Sequence, residues 1–271
     1  MDFLARNSAA LSEALWQQVD DVTVRTARAV LTGRRILPMV GPLGAGATVA
    51  AIDDVSQKGE WAADGLLTST GRTLKEIPTL YEDFTLYARD LAAAEKSGQA
   101  ADLSAVAAAA QAIALKEDRL LFLGNAARGY EGLLSAEGVQ KVAKSDWAAG
   151  ENAFADVSAA IEAMVSAGVF GAYTLVLSPA LHTQLQRLQP GTGLLEAERI
   201  AKLVDGRLFK SPVLGREQAV LLCAQPENMD LVVGQDLAAA YLEQKELNHS
   251  MRLLETVLLR LKRRQAVVVF G

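Results

Sequence analysis

Residues 101–124 read ADLSAVAAAAQAIALKEDRLLFLG. Alanine has the highest helix propensity and lets neighbouring segments approach closely. Leu103, Val106, Ala110, Ile113, Ala114 and Leu121 fall on one side at helical spacing, so the stretch predicts one long helix from Ala101 to about Leu123. Upstream, Ser12 is a candidate N-cap for an amphipathic helix carrying Leu15, Trp16, Val19, Val22, Ala27, Val30 and Leu31, with Gly33 as its C-terminal stop. Gly33 to Val40 reads as a short extended segment ending at Gly41-Pro42. Residues 47–80 scatter Val49, Ile52, Val55, Trp61 and Leu66 among polar residues and glycines, the pattern of a two-stranded excursion with little core of its own. Such an arm is poorly stable alone, which points to a neighbouring subunit as its support.

Downstream, a helix is expected from Ala155 to Ala167, halted by Gly168, then a buried strand at Tyr173–Leu177 and a helix from Pro179 toward Leu188. Further strands are expected at Ala219–Ala224, Asp230–Val233, Arg252–Leu261 and Ala266–Phe270. Helices and strands mix without regular βαβ alternation and without an internal repeat, so the class is α+β.

The 271 residues are 51% hydrophobic and 22% charged, ample for a core and unlike a disordered chain. With 32 Asp+Glu against 27 Lys+Arg, a broad nucleic-acid surface is disfavoured; Lys262-Arg263-Arg264 reads as a solvated turn between two strands. The lone Cys223 sits in an apolar run and reads as core filler, which fits a reducing compartment. The N-terminus lacks signal-peptide character, and no apolar run approaches the roughly 20 residues of a membrane span. A cytoplasmic protein without a membrane partner is expected.

No catalytic constellation assembles. His182 and His249 lack metal-ligand spacing with each other or with Cys223, so no metal is expected. Gly44-Ala45-Gly46-Ala47 is followed by neither Lys-Ser nor Lys-Thr, and Val49 takes the place of a third glycine, so a phosphate loop is rejected for a turn. Glu117-Asp118 point in different directions on a helix and read as surface or interface salt-bridge partners. From residues alone, a soluble α+β enzyme or small-molecule binder with an unrecognised site remains open.

A resemblance spans nearly the whole chain. Met1-Asp2-Phe3-Leu4 with the helix through Trp16, Gly33-Arg34-Arg35 followed by Gly41-Pro42-Leu43-Gly44, and Phe84-Thr85-Leu86 occur in one order. Glu117 to Gly124, Gly132-Leu133-Leu134-Ser135, Gly171 to Val176, Gly234-Gln235-Asp236-Leu237, Tyr241 and Arg252 to Thr256 continue it. In order and spacing these resemble the encapsulins, compartment shell proteins with the Hong Kong 97-like capsid fold of tailed phages. The resemblance implies a peripheral domain of residues 1–46, 81–135 and 226–271, an extended loop of 47–80, and an axial domain of 136–225. It implies a non-enzymatic shell subunit of an icosahedral homo-oligomer, with pores that admit small molecules. Gln189, Pro190, Gly191, Thr192 and Gly193 would form a fivefold pore loop, although Pro-Gly signals an ordinary surface turn equally well. The cargo would be a dye-decolourising peroxidase or a ferritin-like protein bearing a C-terminal targeting peptide. Ala27, Val30, Leu31 and Arg34, with Asp236 and Ala239, would bind that peptide, apolar side chains taking Leu or Ile anchors and a charge orienting its ends. Pro38 stands where some relatives carry an acid. Some relatives bind flavin beside a Trp just after Phe-Thr-Leu; this chain has Tyr87 there and no Trp, so no cofactor is expected and Tyr87 is the one residue a flavin could stack on. A phage or prophage major capsid protein, which would package DNA, is the rival within the same fold; the acidic balance speaks against it.

Overall fold

In the computed structural model, which describes residues 2–271 (Met1, quoted in the N-terminal resemblance, lies outside them), helix α1 runs Glu13–Val30. The Ser12 hydroxyl accepts from the Leu15 N–H at 3.2 Å, satisfying one of the free donors of the first turn. Trp16, Val19, Thr23 and Ala27 form its buried stripe. Gly33 does not stop this helix. It opens a single turn, α2, Gly33–Ile36, so the segment expected to be extended from Gly33 is extended only after it, with β1 at Met39–Val40. The glycine answers to close packing: a Cβ there would overlap the Leu121 side chain and stand 3.3 Å from Asp118 Oδ1.

The arm is a pair of two-stranded ribbons in succession, where one continuous excursion was expected. β2, Val49–Asp53, pairs antiparallel with β5, Arg72–Glu76; farther out, β3, Gly59–Ala63, pairs with β4, Leu66–Thr70. They join at Gly71, whose φ of +69° and close approach to the Gln57 backbone exclude a side chain. The chain returns through β6, Thr79–Leu86, and a surface helix α3, Ala88–Ser97, to the long helix α4, Ser104–Leu123.

The second half contributes β7, Gln140–Val142; α5, Asn152–Ser166; β8, Thr174–Leu177; α6, Pro179–Gln184; α7, Glu196–Leu203; and β9, Leu208–Lys210. β10, Ala219–Leu222; β11, Met229–Val233; β12, Ala238–Lys245; β13, Asn248–Leu261; and β14, Val267–Phe270 follow. The first sheet is organised on β13. β11 and β12 follow one another along it, β6 pairs with its first half, and β1 adds parallel to β11. α4 packs on β6 and β13, and α1 packs on α4 and β12.

The second sheet has the order β7-β14-β10-β8-β9. The resemblance assigned all of 226–271 to the peripheral domain, but β14 lies between β7 and β10 in this second sheet. Its four residues, Val267 to Phe270, are all buried there, and that burial draws the chain end across. The turn before it is not simply solvated. Lys262 Nζ lies 2.6 Å from Asp230, Arg263 donates to the Ala167 carbonyl at 2.9 Å, and Arg264 pairs with Glu131 at 2.9 Å.

Candidate functional site

The end of α1 is held by residues distant in sequence. Ala27 and Leu31 are buried against Ala114 of α4, with Val30 and Leu237 packed half-buried beside them. The chain then turns, and the Asp118 carboxylate accepts from the Thr32 N–H at 2.9 Å and the Gly33 N–H at 2.8 Å. A carboxylate facing the free N–H groups that open α2 is the arrangement that a helix start favours. Asp118 and its neighbour Glu117 are fully buried, so of their reading as surface or interface salt-bridge partners the surface position is corrected, while Glu117 does form a salt bridge, with Arg34. Burial pushes the Asp118 carboxyl up, against the Gly33 and Thr32 N–H groups that favour its charge.

Arg34 reaches from α2 into a ring of acids. Nε donates to Glu117 at 2.9 Å, Nη1 to Asp236 at 2.6 Å and Nη2 to Glu255 at 2.6 Å. Burial works against its charge, but the Glu117 and Glu255 carboxylates outweigh that and raise it above the ordinary arginine value. Arg34 is therefore a clamp inside the subunit. Of the residues expected to bind a peptide, Ala27, Leu31 and Ala239 are buried, and the Ala239 carbonyl accepts from Arg6 Nε at 2.8 Å. Ala239 belongs to a neighbouring core group with Trp16 and Val19. Only Val30, Arg34 and Asp236 keep accessible surface.

Beside Val30 a groove of about 560 Å³ opens between α1, α4, α6 and β9. Leu115 and Phe209 wall it, and Arg35, His182 and Lys210 stand at it, with no acid among its lining residues. The Arg35 guanidinium lies 5.0 Å from the centre of the Phe209 ring, a cation–π distance. Burial and neighbouring Lys210 lower the His182 value, which favours its neutral form. The groove can take an apolar side chain and pair an anionic group at its edge. Sequence reading found Val30 but missed Arg35, Phe209 and Lys210, which meet it only through tertiary structure.

The proposed pore segment joins α6 to α7. The Gln189 N–H donates to the Leu194 carbonyl at 2.9 Å, and Thr192 Oγ1 donates to the Gln189 carbonyl at 3.0 Å. Pro190, Gly191, Thr192 and Gly193 are exposed, but Gln189 is buried and faces its own subunit. Tyr87 precedes α3 with its ring exposed and, among the described residues, has no aromatic neighbour. Among the described residues no cluster of His, Cys, Asp or Glu could hold a metal, and no helix is long and apolar enough to cross a membrane. Burial raises the Cys223 thiol, leaving it poorly reactive.

A family model described as "Encapsulating protein for peroxidase" matches residues 1–258. The type 1 encapsulin shell protein EncA of Myxococcus xanthus is 38% identical over 273 residues, covering 98% of this chain and 95% of that protein. Among solved structures, the virus-like particle from Pyrococcus furiosus superposes with a TM-score of 0.78 at 20% identity, covering 96% of this chain and 100% of that one. The capsid of Myoviridae phage XM1 gives 0.61 at 16% identity, covering 89% and 91%.

Proposed function

The chain belongs to the encapsulin family of shell proteins, and from that premise we propose that its copies close into an icosahedral container whose inner face receives the C-terminal peptide of a cargo enzyme. The fold is the Hong Kong 97-like capsid fold, and the subunit is a structural shell component, not an enzyme. Phage capsids share that fold at 16% identity, which carries no function across, whereas the encapsulin match extends over the sequence.

The observation that carries assembly is the arm. Val49, Val55, Trp61, Leu66, Leu67 and Leu74 are all more than half exposed. Apolar surface of this extent on a ribbon without a core is stabilised by a second copy laid against it. Electron microscopy of the purified protein tests this: closed particles are expected, and a monodisperse monomer would overturn it.

A peroxidase cargo is supported by the family description, and a dye-decolourising peroxidase is the form proposed here, with a ferritin-like protein as the second reading. The targeting peptide would lay an apolar anchor beside Val30, Leu115 and Phe209 and pair an anionic group with Arg35 or Lys210. This moves the charged contact from Arg34, whose donors are engaged, to its neighbour. Val30→Asp places a charge against that anchor and is expected to leave intact shells with cargo stoichiometry reduced about tenfold, about 1.4 kcal/mol of lost affinity. Unchanged stoichiometry would remove the groove from consideration. The exposed Pro190–Gly193 segment is proposed to line an opening for small molecules, the shell to reside in the cytoplasm, and its function to require no flavin. A flavin absorption band in purified shells would contradict the last point.

A further inference from the structure

Four segments far apart in sequence meet on one guanidinium: α2 through Arg34, α4 through Glu117, the link into β12 through Asp236, and β13 through Glu255. The Glu117 and Glu255 side chains are 0% and 1% exposed. Besides each other, the groups that bear on this pair are Arg34, Asp118 from α4 and Asp236. Arg35, on the same turn, is directed onto Phe209 instead. One cation thus faces three carboxylates, two of them out of contact with water, while Asp118 is occupied by the Thr32 and Gly33 N–H groups.

Glu255 Oε1 is buried and, among the described residues, accepts no hydrogen bond. An ionised carboxylate with an unserved buried oxygen is costly. A proton on Glu255 removes the difficulty, because the carboxyl then donates to Glu117. Burial first, and then the Glu117 charge, push Glu255 well above the usual carboxylate range; burial also raises Glu117.

We propose that this cluster is a proton-held latch: while Glu255 shares a proton with Glu117, Arg34 pins the turn after α1 to α4 and β13, and loss of that proton as pH rises loosens the turn and the end of α1. The folded state holds this proton at pH values where an unfolded glutamate has lost it. The cluster's contribution to stability is therefore complete on the acid side of the unfolded value and declines as pH rises toward the folded one. Val30 and Leu31 immediately precede the latch, so it would also regulate the peptide groove; that consequence alone rests on the cargo reading above.

The test is hydrogen–deuterium exchange on assembled, cargo-free shells from about pH 4, near the unfolded glutamate value, to about pH 10, corrected for intrinsic exchange, followed at residues 27–36. Within the window, one released proton makes local opening about tenfold more frequent per pH unit in wild type. Glu255→Gln imitates the neutral carboxyl and is expected to flatten that dependence while protection elsewhere is unchanged. Equal slopes in the two proteins, or a wild-type segment indifferent to pH, would overturn the latch. Should the variant fail to assemble, the wild-type slope decides alone. Cargo loading of Val30→Asp at one pH reads the groove separately, so either idea can fail without the other.

Discussion

β4 of the arm and β10 of the second sheet are both short strands with two adjacent leucines, yet all five residues of β4 are exposed and all four of β10 are buried. β10 is flanked by β8 and β14, and their residues fill one continuous core with Trp147, Met164 and Phe270. Among the described residues β4 has one partner, β3, and no layer above or below it. The difference is one of ownership: the second sheet is completed by its own chain, whereas the arm lacks the surface that would complete it. A subunit of this kind separates folding from assembly, and substitutions in the two regions should fail differently.

The largest effect is expected in the second sheet. Trp147 is fully buried, meets Phe270 edge-on at 5.4 Å between ring centres, and donates its indole N–H to Asp156 at 2.7 Å. Trp147→Ala leaves a cavity and takes one donor from Asp156, which keeps those of the Ser145 N–H and hydroxyl, a loss of about 3–5 kcal/mol. Insoluble or unfolded subunit by circular dichroism is expected, with no particles because there is no subunit. Recovery of folded, unassembled protein would mean that this core is less essential than its burial implies.

Trp61→Ala combined with Leu74→Ala attacks the arm. Both side chains are more than half exposed in the isolated chain, so the subunit should keep its fold and its far-ultraviolet spectrum. Each would contribute up to about 1.5–3 kcal/mol on burial against another copy. Size-exclusion chromatography is expected to show small species in place of particles. Normal particle yield would break the division between the two regions.

The three middle strands of the second sheet were legible in sequence, its edge strands β7 and β9 were not, and the arm was nearly legible, for opposite reasons. Leu175–Leu177 and Ala219–Leu222 are uninterrupted apolar runs, the mark of strands buried on both faces. The arm announced itself by the absence of a core face, but its division at Gly71 depends on where the Gln57 backbone passes. β12 escaped notice because Ala238–Ala240 lack strand propensity; pairing with β13 makes them a strand. The site was half legible. Val30 lies on a helical stripe and could be picked out, whereas Glu117 and Asp118 carry charges that usually mean surface. Their burial becomes tolerable only through distant groups: Arg34, 83 residues from Glu117, pairs with that acid, and the Thr32 and Gly33 N–H groups serve Asp118.

The smallest effect sharpens the comparison from the first sheet. Asp83 of β6 stands opposite Arg252 of β13, with Nε and Nη2 at 2.6 and 2.8 Å from its two oxygens and the guanidinium 4.1 Å from the centre of the Tyr81 ring. The side chains are 49% and 33% exposed, so solvent screens the pair and Asp83→Asn should cost about 1 kcal/mol or less. Its pH behaviour runs opposite to that of the latch. The Arg252 hydrogen bond holds the Asp83 carboxyl below its usual range, so the contribution is present above the unfolded value and disappears as pH falls through the folded one. Melting curves of wild type and Asp83→Asn should therefore differ slightly at neutral pH and converge in acid. A loss of several kcal/mol in assembled shells, with little change in dispersed subunits, would show that another copy covers this pair. The Tyr81 face would then belong with the arm, among the surfaces that the subunit does not complete by itself.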